Sequence, residues 1–245
     1  MTAPLPDAPP PYRTVVFDCD STLSAMEGIE SLAGPEHAAE IAELTNAAMD
    51  GTVALEEVFG RRLALLRPTR DDVARVGRRY VELLLPNTRE LVRALRFLGK
   101  RVVIVSGGLL PAVRRVAQTL GVEEVHAVDL SFDAGGAYAG FDQGSPLTRS
   151  GGKIDVLRAI GARLGAAPLA LVGDGVTDLE AAPFVQRFVA FGGVVERASV
   201  FRAARVHARS ADYRELAPLL LSVEELRRLA GTHDHAELVR RQPQA

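Results

Sequence analysis

The stretch Thr14-Val-Val-Phe-Asp18-Cys-Asp20-Ser-Thr22 runs four β-branched or apolar residues straight into two acids. An unbroken run of this kind reads as a strand buried on both faces, the kind of strand found in a parallel sheet. The same form recurs in Val102–Val105 (VVIV) ahead of Ser106-Gly-Gly, and in Leu169–Val172 (LALV) ahead of Gly173-Asp-Gly. Between these runs, Leu91, Val92, Leu95 and Leu98 keep helical spacing behind an Asn87 cap with Glu90 three residues on. Leu110, Val113, Val116, Ala117 and Leu120 do likewise. The pattern predicts an α/β fold with a doubly wound, mainly parallel sheet.

From Ser24 to Leu85 the spacing is helical throughout and stops at Pro86, which predicts a helical cap inserted at residues 24–85. The core is then expected over 12–23 and 86–231. Alternation on either side of Asp133-Ala-Gly-Gly predicts a hairpin within Ala127 to Phe141, appended to the sheet. Residues 1–11 are expected to be a disordered, proline-rich lead, and 232–245 a helical fragment with a frayed tail. The lead shows no basic region followed by an apolar one, so no export signal is expected.

With 245 residues, 47% of them hydrophobic, the chain can bury a sizeable core. Its 29 basic and 31 acidic residues nearly cancel and form no basic block, which argues against nucleic acid or a polybasic membrane contact. No apolar run approaches the roughly 20 residues of a membrane helix. Cys19 is the only cysteine, which excludes an internal disulfide and fits a reducing compartment, so a cytoplasmic protein with a small-molecule ligand is expected.

Four segments carry chemistry. Asp18 and Asp20, at i and i+2 in extended chain, point to one side, and like charges so close call for a shared proton or a metal. Ser106-Gly107-Gly108 offers a hydroxyl and backbone N–H groups to an anion at what reads as a helix start. Lys153, in the first turn of a helix carrying Ile154, Leu157 and Leu164, has the wrong sign for the helix dipole, which an external anion or solvation would explain. Asp174 and Asp178 are hard oxygen donors of the type that suits magnesium, or acids at an ordinary helix N-terminus.

In this order, the aspartate pair, the serine after the second strand, the lysine and the Gly173-Asp174-Gly-Val-Thr-Asp178 loop resemble the haloacid dehalogenase superfamily, with its Rossmann-like core. Glu27-Gly-Ile-Glu30, Arg62-Leu-Ala-Leu-Leu, Tyr138-Ala-Gly-Phe141 and Ser150-Gly-Gly-Lys153 resemble its phosphoserine phosphatase family, over residues 13 to 221. The resemblance implies magnesium-dependent hydrolysis of a small phosphomonoester through an aspartyl phosphate, with O-phosphoserine as the substrate. It implies Asp18 as nucleophile, Asp20 as acid and base, and Ser106, the Gly107 N–H and Lys153 around the phosphate. Asp18, the Asp20 carbonyl and Asp174 would hold Mg2+, with Asp178 as ligand or support.

Arg62 sits in the middle of an apolar helical stripe of Leu55, Val58, Phe59 and Leu66. Its guanidinium either snorkels into water or, as the resemblance implies, binds a substrate carboxylate. By the same resemblance Glu27 would bind the ammonium, Met49 would cover the ligand, and Gly108 and Thr177 would line the site. The sequence departs from the family pattern at Asp50, an acid beside Met49, and at Asn87, where a glycine is usual. Cys19 reads as a small buried filler, and His233 with His235 as an incidental pair. Phosphohomoserine and a phosphotransfer reaction remain open, a sugar phosphate is disfavoured by Glu27 with Arg62, and a phosphate-accepting switch is opposed by Asp20, which favours turnover. Oligomeric state is undecided by the sequence.

Overall fold

The computed structural model describes residues 12–164 and 168–240. The proline-rich lead and residues 241–245, Arg241 among them, lie outside the described residues. Strand β1 (Thr14–Phe17) is fully buried, as its composition requires. It pairs in parallel with β2 (Arg101–Leu109) on one side and β6 (Leu169–Gly173) on the other, with Phe17 opposite Ile104 and Val172. Outside these lie β3 (Glu124–Val128), β7 (Arg187–Phe191) and β8 (Val206–Ala208), giving the order β3-β2-β1-β6-β7-β8. The winding reverses at β1, and chains leaving the carboxyl ends of neighbouring strands there open a crevice. That register brings the residues after Phe17, Val105 and Val172 together.

The helices cover both faces: α4 (Thr88–Phe97), α5 (Leu110–Leu120), α6 (Gly152–Arg163), α7 (Val176–Ala181), α8 (Ala198–Ala203) and the C-terminal α9 (Ala217–Leu220), α10 (Val223–Ala230) and α11 (Ala236–Val239). The leucine and valine stripes of α4 and α5 are buried, as their spacing predicts. Each such side chain contributes about 2 kcal/mol when removed from water. Tyr213 is fully buried, stacks on Phe17 at 5.9 Å and donates from its hydroxyl to the Thr22 carbonyl at 2.8 Å. A residue far down the chain thus clamps the loop after β1.

Between β1 and α4 the chain forms α1 (Ala38–Met49), α2 (Leu55–Leu66) and α3 (Arg70–Glu82) and adds no strand to the main sheet. Its two ends run side by side: Ser24 bridges Leu84, Ala25 N–H donates to Leu83 and Leu85 N–H to Leu23. Thr69 and Asp72 close a capping box at the start of α3. Helix α3 lies against α5, where a methyl group on Gly77 would be 3.2 Å from the Ala112 Cα. The hairpin of β4 (Leu130–Phe132) and β5 (Tyr138–Phe141) forms a two-stranded sheet of its own. Phe141 from it packs edge-on to Phe59 of α2 at 5.3 Å.

Three local expectations are corrected. The hairpin is not appended to the main sheet, and its Ala127 end belongs instead to β3. Ser106-Gly107-Gly108 is not a helix start: β2 continues through Leu109, with its pairing to β3 shifted between Val105 and Leu109. The glycines permit that irregular strand end, and α5 begins only at Leu110. Asn87 stands at the N-cap of α4 but its side chain caps nothing; it donates to Asp212 at 2.7 Å. Its φ of +61° is the left-handed conformation, which glycine adopts freely and asparagine tolerates better than most residues.

Candidate active site

The crevice at the ends of β1, β2 and β6 gathers the acids. Asp18, its N–H bonded to the Val172 carbonyl at 3.0 Å, lies with Asp174 and Asp178 so that one carboxylate oxygen of each falls within 4.8 Å of the others. All three are buried. Lys153 joins them, 2.9 Å from Asp18 and 2.7 Å from Asp178, and is only 4% exposed. Solvation therefore does not explain its place in the first turn of α6. Burial pushes the Asp178 carboxyl up to about 8 even with Lys153 beside it. Burial and the charge of Asp18 bring Asp174 up to about 6. The Lys153 ammonium, opposed by burial, is nevertheless held well above its ordinary value by Asp178 and Asp18. Three buried hard oxygen donors converging on one point suit a divalent cation.

Asp20 is turned differently. Its Oδ1 accepts from the Tyr80 hydroxyl and from Gly28 N–H at 2.6 Å, and its Oδ2 lies 3.3 Å from Ser106 Oγ. Its carboxylate is outside the cluster formed by Asp18, Asp174 and Asp178. Burial, reinforced by Asp18, raises the Asp20 carboxyl above the ordinary range. Ser106 Oγ also accepts from Gly108 N–H at 2.9 Å, and Gly107 and Gly108 line the same pocket as Asp18, Asp20 and Lys153.

The pocket, about 530 Å³ of space partly open to solvent, is completed by Glu27, Met49, Arg62 and Thr177. Arg62 does not snorkel. It is 4% exposed, donates from Nη1 to Thr45 at 3.0 Å, and leaves its buried Nε without a partner. Phe59 lies under it at 5.6 Å, and burial lowers its pKa. Of the apolar stripe around it, Leu55, Val58 and Phe59 are buried. Glu27 accepts from Ser21 Oγ at 2.6 Å, and burial pushes its carboxyl well up. The sulfur of Met49 lies over Gly175, 3.1 Å from where a methyl group there would stand.

Arg197, at the start of α8, was not legible. It is buried and joins Asp174 at 3.2 Å, Asp50 at 3.4 Å and Glu27 at 3.7 Å. Asp50, the acid that departs from the family pattern, thus faces a cation. Nothing in Val194-Val-Glu-Arg197-Ala separates this arginine from an exposed one; only the fold does. Thr22, which donates to Asp174 at 3.1 Å, and Tyr80 were also missed. Arg149, another lining residue, pairs with Asp155. Cys19 is buried with its thiol pKa raised by burial, as a filler would be. His233 is exposed and His235 packs on Phe97 at 5.0 Å; among the described residues neither belongs to a metal-capable cluster.

Acids, an anion cradle and a lysine at the switch point of a parallel sheet define a phosphoryl-handling α/β hydrolase, and the chain belongs to the haloacid dehalogenase-like hydrolase family, whose model matches residues 15–183. Within it the chain groups with phosphoserine phosphatases. It is 39% identical to that of Mus musculus over 191 residues, covering 76% of this chain and 84% of the relative. The Drosophila melanogaster enzyme is 36% identical over 210 residues, covering 83% and 76%. A phosphoserine phosphohydrolase-like protein from Francisella tularensis superposes with a TM-score of 0.78 at 26% identity, covering 85% of this chain and all of that one. No helix among the described residues is long and apolar enough to cross a membrane.

Proposed function

We propose that the protein hydrolyses O-phosphoserine to serine and phosphate, in the cytoplasm, with Mg2+ as its metal. The observation that carries the substrate is Arg62: a buried guanidinium with an unpartnered Nε, lining a pocket that also contains the nucleophile candidate and the Glu27 carboxylate. A planar cation with a free donor suits a carboxylate, and Glu27 suits an ammonium, so the pair fits the two charges of an amino acid. The reducing compartment rests on the lone, buried cysteine.

In the reading we favour, a carboxylate oxygen of Asp18 attacks phosphorus as the bond to the serine oxygen breaks. Asp20 gives its proton to the departing alkoxide, then takes one from the water whose oxygen bonds to phosphorus as the Asp18–phosphate bond breaks. Ser106 Oγ, the Gly107 N–H and Lys153 neutralise the transferring group, and Gly108 and Thr177 wall it in. Asp18, the Asp20 carbonyl and Asp174 would hold the cation, with Asp178 fixing Lys153 and supporting them. When bound, the cation would supply charge neutralisation to the phosphoryl group. Residues 24–85 act as a cap that carries Glu27, Met49 and Arg62, while 12–23 and 86–231 carry the chemistry.

Phosphate release should be measured over a panel of small phosphomonoesters with magnesium. Phosphoserine should lead; a sugar phosphate or phosphoethanolamine leading by tenfold would overturn the substrate.

A further inference from the structure

Tyr80 belongs to the inserted segment, yet its hydroxyl ends on the acid of the sheet layer. The ring is fully buried in α3, and its backbone carbonyl accepts from Ser24 Oγ at 3.0 Å, beside the junction where the segment leaves the core. The residue is thus anchored at both ends. Its hydroxyl donates to Asp20 Oδ1, the same oxygen that accepts from Gly28 N–H. The approach is close enough to dictate a neighbour: a methyl group on Gly28 would stand 2.0 Å from the Tyr80 oxygen, so residue 28 can carry no side chain here. Across the carboxyl, Oδ2 points toward the backbone of Gly108, where a methyl group would stand 2.7 Å away, and toward Ser106 Oγ.

A carboxyl oxygen that accepts from two fixed donors is a poor place for a proton, because an O–H there would abut two other hydrogens. We propose that Tyr80 is a positioning residue for Asp20: with Gly28 N–H it occupies Oδ1 and so leaves Oδ2, on the Ser106 and Gly108 side, as the oxygen that carries and returns the catalytic proton. The inference rests on the reading of Asp20 as proton carrier. In the first half-reaction the Oδ2–H bond breaks and the proton passes to the alkoxide oxygen as its bond to phosphorus breaks. In the second, Oδ2 takes a proton from water as the water oxygen bonds to phosphorus. Tyr80 loses no proton in either step; it fixes the carboxyl plane and the identity of the oxygen.

Tyr80→Phe keeps the ring and deletes only the donor, so the fold should survive with a thermal midpoint within a few degrees of the parent. The readout is kcat/KM, which reports steps up to formation of the phosphoryl enzyme. For phosphoserine, whose alkoxide needs a proton, kcat/KM should fall about 10- to 100-fold, the range for losing a hydrogen bond to a charged group. For p-nitrophenyl phosphate, whose leaving group needs none, it should change less than about 3-fold. In an Asp20→Asn background, Tyr80→Phe should add little for either substrate. Equal losses on the two substrates, no loss on phosphoserine, or the full further loss in the Asp20→Asn background would each overturn the assignment. If phosphoserine proves not to be a substrate, the substrate reading fails separately, and the same leaving-group comparison is made with whichever alkyl phosphate the enzyme turns over.

Discussion

Lys153 of the sheet layer and Arg62 of the inserted helices are each 4% exposed, and the fold provides for them in opposite ways. Lys153 meets Asp18 at 2.9 Å and Asp178 at 2.7 Å, so its charge is answered within the protein. Arg62 has one hydroxyl partner, Thr45, and an empty Nε; Glu27, Asp20 and Glu30 support its charge only from a distance. A cation matched by acids belongs to machinery that works on every substrate. On the reading proposed above, a cation left short of a partner is the one that would meet a carboxylate arriving with the ligand. If that reading holds, the chemistry of the core and the selectivity of the insertion are separable by mutation.

The largest effect tests the core. Asp18→Asn should abolish turnover of every phosphomonoester, by at least about 10⁴-fold, because an amide forms no phosphoryl intermediate. Substantial activity in the pure variant would remove Asp18 as nucleophile. Next comes a matched pair of methionine substitutions that keep each aliphatic stem. Lys153→Met leaves Asp18 and Asp178 buried without their partner and should cost about 3–5 kcal/mol in urea denaturation. Arg62→Met should move stability by no more than about 1 kcal/mol, since no carboxylate is orphaned at short range. Equal losses would erase the contrast.

Arg62→Met should instead show in selectivity. Losing a buried partner of a carboxylate costs about 2–5 kcal/mol, or roughly thirty-fold to several thousand-fold in kcat/KM for phosphoserine. Phosphoethanolamine, which lacks the carboxylate, should be used almost as before. Parallel losses on both would make Arg62 structural.

The smallest effect is on pH. Burial raises the carboxyls of Asp174 to about 6 and of Asp178 to about 8, against 3.8 for an ordinary aspartate. The folded state therefore holds more protons than the unfolded one between about pH 4 and 8, and the metal-free protein should lose stability as pH rises through that window. Lys153 stays protonated throughout it and does not reverse the sign. A cation held by Asp174 must displace that proton, so magnesium should raise the thermal midpoint by about 3 °C more at pH 8.5 than at pH 5.5. An equal rise at both would separate the acid cluster from the metal.

The strand ends were legible because a buried parallel strand has few acceptable compositions. Thr14–Phe17 and Leu169–Val172 stand out before any contact is known, and the acids after them need only proximity to become a site. The helical stripes of α4 and α5 were legible for the same reason. The length of β2 was not, since Ser106-Gly-Gly suits a turn as well as an irregular strand end, and the pairing with β3 decides between them.

The sequence by itself determined the three central strands, the order of the candidate catalytic segments and the presence of a charged residue on an apolar helix face, because each is a matter of local composition and period. The outer strands β3, β7 and β8 were not legible in it. Only the tertiary structure decided whether Arg62 reaches water, that Asp50 faces Arg197, and that Tyr80 from α3 meets Asp20. These pairings join residues far apart along the chain, and their meaning depends on burial and on direction of approach. A side chain's identity fixes the charge or donor it carries, but the surrounding fold fixes whether that group is satisfied, desolvated or left open for a ligand.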